Sequence, residues 1–181
     1  MNERFMEDNE IITRCLGGDS EAFEHLVLRY QNSVLALCWS ILRNREEARD
    51  AAQDSFVRAF RNLQSCDQNR SFKNWLYSIA THQCLDRIRK QKSLAKYLGK
   101  NRSETWREDP VPEYSDSSGI PERMGNLLDR LKHKERAVLL LKARDGYSAG
   151  EIAEIFRCSP STARVYLHNA RRKLKRWMKE R

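Results

Sequence analysis

Long apolar stretches are missing from this 181-residue chain. Runs such as AVLLL at 137–141 fall far short of the ~20 residues that cross a bilayer, so no membrane insertion is expected. The first residues, MNERFMEDNE, lack the basic-then-apolar order of a secretory signal, and the expected location is cytoplasmic. Cysteine is sparse and odd in number: Cys15, Cys38, Cys66, Cys84 and Cys158, with no CxxC pair. That excludes a full set of disulfides and predicts reduced, mostly packed thiols. His82 and Cys84 are the only close His/Cys pair, and two ligands do not make a structural zinc site, so neither metal nor cofactor is expected. Alternating β-branched residues are also missing, which argues against a sheet.

Charge is abundant but uneven. Lys+Arg minus Asp+Glu gives 8 − 11 = −3 for residues 1–62 and 10 − 3 = +7 for 63–107. The same count gives 0 − 4 = −4 for 108–121 and 16 − 7 = +9 for 122–181. Two basic blocks with an acidic one between them suggest two surfaces that meet phosphate or an anionic membrane.

Helical spacing runs through most of the chain. Ala22, Phe23, Leu26, Val27, Tyr30, Val34, Leu37, Cys38 and Ile41 recur at three and four residues, behind Asp19 or Ser20 as cap. A second helix starts near Asn44 and carries Ala52, Ser55, Phe56, Ala59, Phe60 and Leu63 on one face. Residues 63–70 read as a loop, with Ser71 capping a third helix over about 72–92. EDPVPEYSDSSGIP (108–121) holds three of the four prolines and no cation, and marks a flexible acidic linker. The expected architecture is all-α: one small helical domain over 1–92, a linker over 93–121, and a second domain over 122–181. In the latter, helices at 122–131 and 133–144 precede a stop at Asp145-Gly146, and a Ser148/Glu151 capping box opens a short helix to Phe156.

Residues 158–177, CSPSTARVYLHNARRKLKRW, follow a turn at Arg157-Cys158. Ser159 and Pro160 suit the cap and first position of a helix. At 100° per residue, Ala163, Leu167, Ala170, Leu174 and Trp177 form a core stripe, while the cations gather on the far side. A short helix, a turn and a longer basic helix make a helix-turn-helix, whose second helix enters the major groove. Ser161, Thr162, Arg164, Val165 and His168 are best placed for base edges; Arg171, Arg172 and Lys175 suit phosphate.

The stretch at 70–92, RSFKNWLYSIATHQCLDRIRKQK, mixes Phe72, Trp75 and Tyr77 with Arg70, Lys73, Arg87 and Arg89. Aromatic faces stack on unpaired bases while cations follow the backbone, a combination suited to melted DNA. Core packing is the competing reading for Phe72 and Trp75.

Here the chain resembles the sigma-70 family of bacterial RNA polymerase subunits, in its small extracytoplasmic-function group, over about residues 10–178. ARDAAQDSFVRAFRNL (48–63) is similar to the polymerase-binding helix. SFKNWLYSIATHQCLDRIRK (71–90) is similar to the regions that open and read the promoter −10 element. LLDRLKHKERAVLLLKARDGYSAGEIAEIFRCSPSTARVYLHNARRKLKRW (127–177) is similar to region 4, which reads the −35 element. The resemblance implies that Asp50, Gln53, Asp54 and Val57 meet the β′ clamp helices of core polymerase. A solvated face and a two-carboxylate metal site are the other readings of these carboxylates, though no nearby ligand completes a metal site. It further implies that Asp67, Asn69, Arg70, Phe72, Lys73, Trp75, Tyr77, His82, Arg87 and Arg89 serve the −10 single strand. Promoter DNA, the polymerase β flap and an anti-sigma factor complete the implied partners, and no catalysis is implied. His82 stands where an Asn is common, Leu131-Lys132 where Leu-Pro is common, and Arg157 where Gly is usual. A left-handed backbone at Arg157 would cost ~1 kcal/mol. A stand-alone helix-turn-helix regulator is the alternative function. Against it stands the absence of an evident dimerisation face.

Overall fold

The computed structural model describes residues 7–98 and 127–179, and its described residues contain helices, turns and no strand. In order these are α1 (Asp8–Leu16), α2 (Phe23–Leu42), α3 (Arg45–Arg61), α4 (Phe72–Tyr97), α5 (His133–Arg144), α6 (Ala149–Phe156) and α7 (Pro160–Lys179). They form two small helical domains, α1–α4 and α5–α7.

The helices start where the side chains can satisfy their first N–H groups. The Asp19 carboxylate accepts from the Ala22 N–H at 3.2 Å and starts the 3₁₀ turn that leads into α2. Asn44 accepts from Glu47 N–H at 2.8 Å ahead of α3, and the Ser71 hydroxyl from Asn74 N–H at 3.3 Å ahead of α4. α2 and α6 both end on a residue with positive φ that is not glycine: Arg43 at 55° and Arg157 at 47°. The left-handed backbone anticipated at Arg157 is therefore present, and the Cys158 N–H it turns back bonds to the Ala153 carbonyl at 2.9 Å.

In the N-terminal domain α2, α3 and α4 pack on one another, with α1 against α2. Leu26, Val34, Leu37 and Ile41 of α2 meet Leu76, Ala80 and Ile88 of α4 in the core. The buried face of α3 is built largely of Ala48, Ala51, Ala52 and Ala59, small side chains that let the neighbouring helices approach closely. In the C-terminal domain α5 and α6 lie against α7, and Val138, Leu141, Ile152, Ile155, Ala163 and Leu167 are buried.

Three expectations change. α1 has no predicted counterpart; Ile11 and Ile12 are fully buried, and Asp8 holds it to α2 through the Tyr30 hydroxyl at 2.6 Å. The 63–70 segment contains a 3₁₀ turn, Leu63–Ser65, with Leu63 and Cys66 buried. α4 continues to Tyr97 rather than stopping at 92, because nothing in KSLAKY breaks a helix. Its extension takes in the first residues assigned to the linker. Most of that linker, and residues 122–126 of the helix expected at 122–131, lie outside the described residues; 127–129 are helical.

Candidate nucleic-acid and polymerase interfaces

The helix-turn-helix is built from its caps upward. The Ser148 N–H donates to the Glu151 carboxylate at 2.8 Å, and the Glu151 N–H donates to the Ser148 hydroxyl at 3.2 Å. The reciprocal bonds hold the Glu151 carboxyl below its usual 4.5. Four residues of α6, Ile152, Ala153, Ile155 and Phe156, are buried, which fixes its face against the longer helix. On α7 the Ser159 hydroxyl accepts from the Thr162 N–H at 3.2 Å and lies 2.9 Å from the Thr162 hydroxyl. Ala163, Leu167 and Ala170 are buried, as the spacing predicted, whereas Leu174 and Trp177 are only partly covered. The Arg130 guanidinium sits 4.5 Å from the Trp177 ring centroid. The opposite side presents Ser161, Arg164, Val165, His168, Arg171, Arg172 and Lys175 to solvent, with Thr162 half-buried. Seven of the eight side chains assigned to this face are exposed together. Lys173 turns the other way, to the buried Glu135 carboxylate at 2.7 Å, tying α7 to α5.

A second exposed face lies on α3. Asp50, Gln53, Asp54 and Val57 are all exposed, one turn after another. Phe60 continues the row, 43% exposed with its ring against Phe23 at 5.1 Å. Among the described residues no group of three His, Cys, Asp or Glu side chains is placed to hold a metal ion.

The third set divides. Asp67, Asn69 and Arg70 are exposed and form a local turn: the Asp67 carboxylate accepts from the Asn69 N–H at 3.0 Å and lies 3.4 Å from Arg70. Lys73, Trp75 and His82 are partly exposed, and His82 contacts the Ser78 carbonyl at 2.7 Å. Arg89 is exposed and paired with Asp86 at 2.8 Å. Phe72 and Tyr77, however, are buried at 2% and 0% exposure, so they offer no open platform for bases. Phe72 opens α4 between the rings of Tyr30 and Trp75, at 5.7 and 5.8 Å. Tyr77 is covered by Tyr147, ring centroids 6.0 Å apart, and burial raises both phenols above the usual tyrosine range. Arg87 also turns inward, to Glu47 at 3.0 Å and Asp54 at 2.5 Å, and so couples α4 to the carboxylate face of α3.

Sequence reasoning overlooked Arg136, Glu135 and Tyr147. Glu135 had a signal, three residues after Lys132: its carboxylate accepts the Lys132 N–H at 3.3 Å, starting α5 without the usual proline. The partners of Arg136 and Tyr147 lie far away in sequence and left no periodic trace.

Two family models match the chain, "Sigma-70 region 2" over residues 26–94 and "Sigma-70, region 4" over 122–174. The extracytoplasmic-function RNA polymerase sigma factor SigW of Bacillus subtilis is 34% identical over 90% of this chain and 92% of its own. The chain belongs to the sigma-70 family, in its extracytoplasmic-function group. It is a promoter-directing RNA polymerase sigma factor. A second relative, RNA polymerase sigma factor YlaC of B. subtilis, is 32% identical over 87% of this chain and 92% of its own. Among solved structures, the sigma factor RpoE of Bartonella quintana, in complex with the anti-sigma factor NepR, superposes with a TM-score of 0.72. It is 20% identical, covering 87% of this chain and 96% of that one. CnrH, solved with the cytosolic domain of CnrY, gives 0.66 at 23% identity, covering 94% and 96%. At these identities the structures establish a shared fold. The matched region 2 model spans α2 to α4 almost entirely, and the region 4 model ends within α7 of this sigma factor. No helix among its described residues is long and apolar enough to cross a membrane.

Proposed function

We infer that this sigma factor meets its partners through three separate faces. The α7 face, held by the capped α6, enters the −35 major groove: Ser161, Thr162, Arg164, Val165 and His168 at base edges, Arg171, Arg172 and Lys175 on phosphate. The α3 face, Asp50, Gln53, Asp54 and Val57, docks on the β′ clamp helices, where carboxylates find arginines. Asp67, Asn69, Arg70, Lys73, Trp75, His82 and Arg89 follow the displaced −10 strand, and the C-terminal domain also meets the β flap. The observation that carries the reading is the joint exposure of the α7 set on a helix whose opposite stripe is buried.

The chain catalyses nothing itself. Opening is driven by tighter binding of unpaired nucleotides than of duplex, and the work is done in the cytoplasm with polymerase. An anti-sigma factor, of the kind bound to RpoE in its solved complex, holds it inactive until a signal arrives. A stand-alone regulator has no observation in its favour.

The test is permanganate footprinting of promoter thymines in complexes with core polymerase. Replacing Lys73 and Trp75 with Ala should lower thymine reactivity while co-elution with polymerase is retained. Undiminished reactivity would remove both residues from the −10 face.

A further inference from the structure

The residues assigned above to the −10 strand come from two separate elements. Asp67, Asn69 and Arg70 stand on an exposed turn, whereas Lys73 and Trp75 stand at the start of α4. A strand that touches both needs their separation fixed, and α1 reaches each of them. The Asn9 side-chain amide donates to the Gln68 carbonyl at 3.0 Å, in the middle of that turn. The Asp8 carboxylate accepts from the Tyr30 hydroxyl at 2.6 Å and from Arg29 at 2.5 Å. The Tyr30 ring centroid lies 5.7 Å from that of Phe72, which lies 5.8 Å from that of Trp75. Adjacent residues of one helix thus hold the turn by a direct bond and Trp75 through two packed rings.

α1 is a firm base for this. Ile11 and Ile12 are fully buried, while Asn9 is exposed and adds nothing to the core. Beneath the turn Cys66 is buried, and burial, with the charges of Asp67 and Asp8, pushes its thiol up to about 11. That cysteine is a packed floor, not a reactive group. The turn has bonds of its own, from the Asn69 N–H and side-chain amide to the Asp67 carboxylate at 3.0 and 3.1 Å. Those bonds shape the turn; the Asn9 bond, across 59 residues of sequence, sets where it stands. A loop held in place beforehand does not have to be ordered on binding. We propose that Asp8 and Asn9 are positioning residues for the reading of the displaced −10 strand, α1 setting the distance between the 67–70 turn and Trp75. The inference rests on the −10 role argued above, and neither residue touches DNA. It gives α1 a part in promoter choice that core packing alone would not.

The experiment uses the chain assembled with core polymerase. The probe is a fluorescein-labelled single strand with a randomised central segment, from which the native complex selects its preferred sequence. Asn9→Ala removes the donor, adds no charge and puts a better helix former in α1. Melting temperature and co-elution with polymerase should therefore match the native chain, while affinity for the selected strand falls roughly fivefold. Selection repeated with the variant should return a broader base preference, and amide exchange should quicken in 66–70 alone. Tyr30→Phe, which keeps the ring and frees it from Asp8, should weaken the same strand by a similar factor. Trp75→Ala is run alongside. If it loses the strand while Asn9→Ala and Tyr30→Phe select and bind as the native chain does, the positioning role is overturned and the −10 reading stands. If Trp75→Ala itself binds like the native chain, the −10 reading falls and the inference with it. A drop in melting temperature that accounts for the lost affinity would also overturn the proposal, making Asn9 an ordinary stabilising residue.

Discussion

On α7 seven of the eight side chains assigned to duplex DNA stand in solvent, whereas on α4 three of the seven assigned to melted DNA are engaged inside the chain. Phe72 is packed at the start of its helix, Tyr77 lies under Tyr147, and Arg87 is bound to Glu47 and Asp54. The difference has a physical source. A groove-reading helix needs only one buried stripe, and Ala163, Leu167 and Ala170 provide it. A surface that grips unstacked bases must expose aromatic rings, which water disfavours, so an isolated chain covers them. On these proposed roles, one face stands open in the structure and the other is partly closed.

The comparison breaks most severely if the carboxylate face of α3 is not the polymerase contact that brings both faces to the promoter. Asp50→Lys with Asp54→Lys should weaken association with core polymerase by ~100-fold or more, since like charges across an interface cost several kcal/mol. Size-exclusion co-elution checks this, with Asp50→Lys alone as the control that leaves the Arg87–Asp54 pair intact. On the open face, Arg164→Ala in the polymerase complex should cost about 1–3 kcal/mol of −35 discrimination, read by competition between duplexes. Arg171→Ala with Arg172→Ala should instead weaken all duplexes alike and flatten the log affinity–log salt slope by roughly 2. Arg157→Gly should stabilise the helix-turn-helix by ~1 kcal/mol in urea unfolding, because its φ of 47° is one glycine adopts without strain.

The smallest effect concerns the cap that sets the turn. The Glu151 carboxyl titrates below its usual 4.5 because of its hydrogen bonds with Ser148. A depressed folded pKa stabilises above the unfolded value and ceases to do so as pH falls through the folded one. Glu151→Gln should therefore lower the melting temperature slightly at pH 7, and the gap should close as pH falls below 4.5. The effect is small because the carboxylate is in solvent.

What the sequence disclosed follows the range of the interactions concerned. Asn44, Ser71, Ser148 and Ser159 act within three residues of themselves, and each caps the helix expected of it. The stripe of α7 obeys a local period and was legible for the same reason. Phe72 and Tyr77 show the limit. Their helical positions were evident, but their burial depends on Tyr30 and Tyr147, tens of residues away, and periodicity carries no record of such neighbours. The inward turn of Arg87 and the contact between Arg136 and α2 were illegible on the same grounds. The end of α4 was misplaced for another reason: SLAKY is permissive of helix and contains no stop signal before Gly99.

The most direct measurement is reconstituted transcription with core polymerase on genomic fragments, comparing start sites with and without this chain. The account predicts new start sites, each preceded by one shared pair of elements at −35 and −10. Identical start sites in both reactions, or a chain that retards duplex DNA by itself and never joins the polymerase, would contradict it.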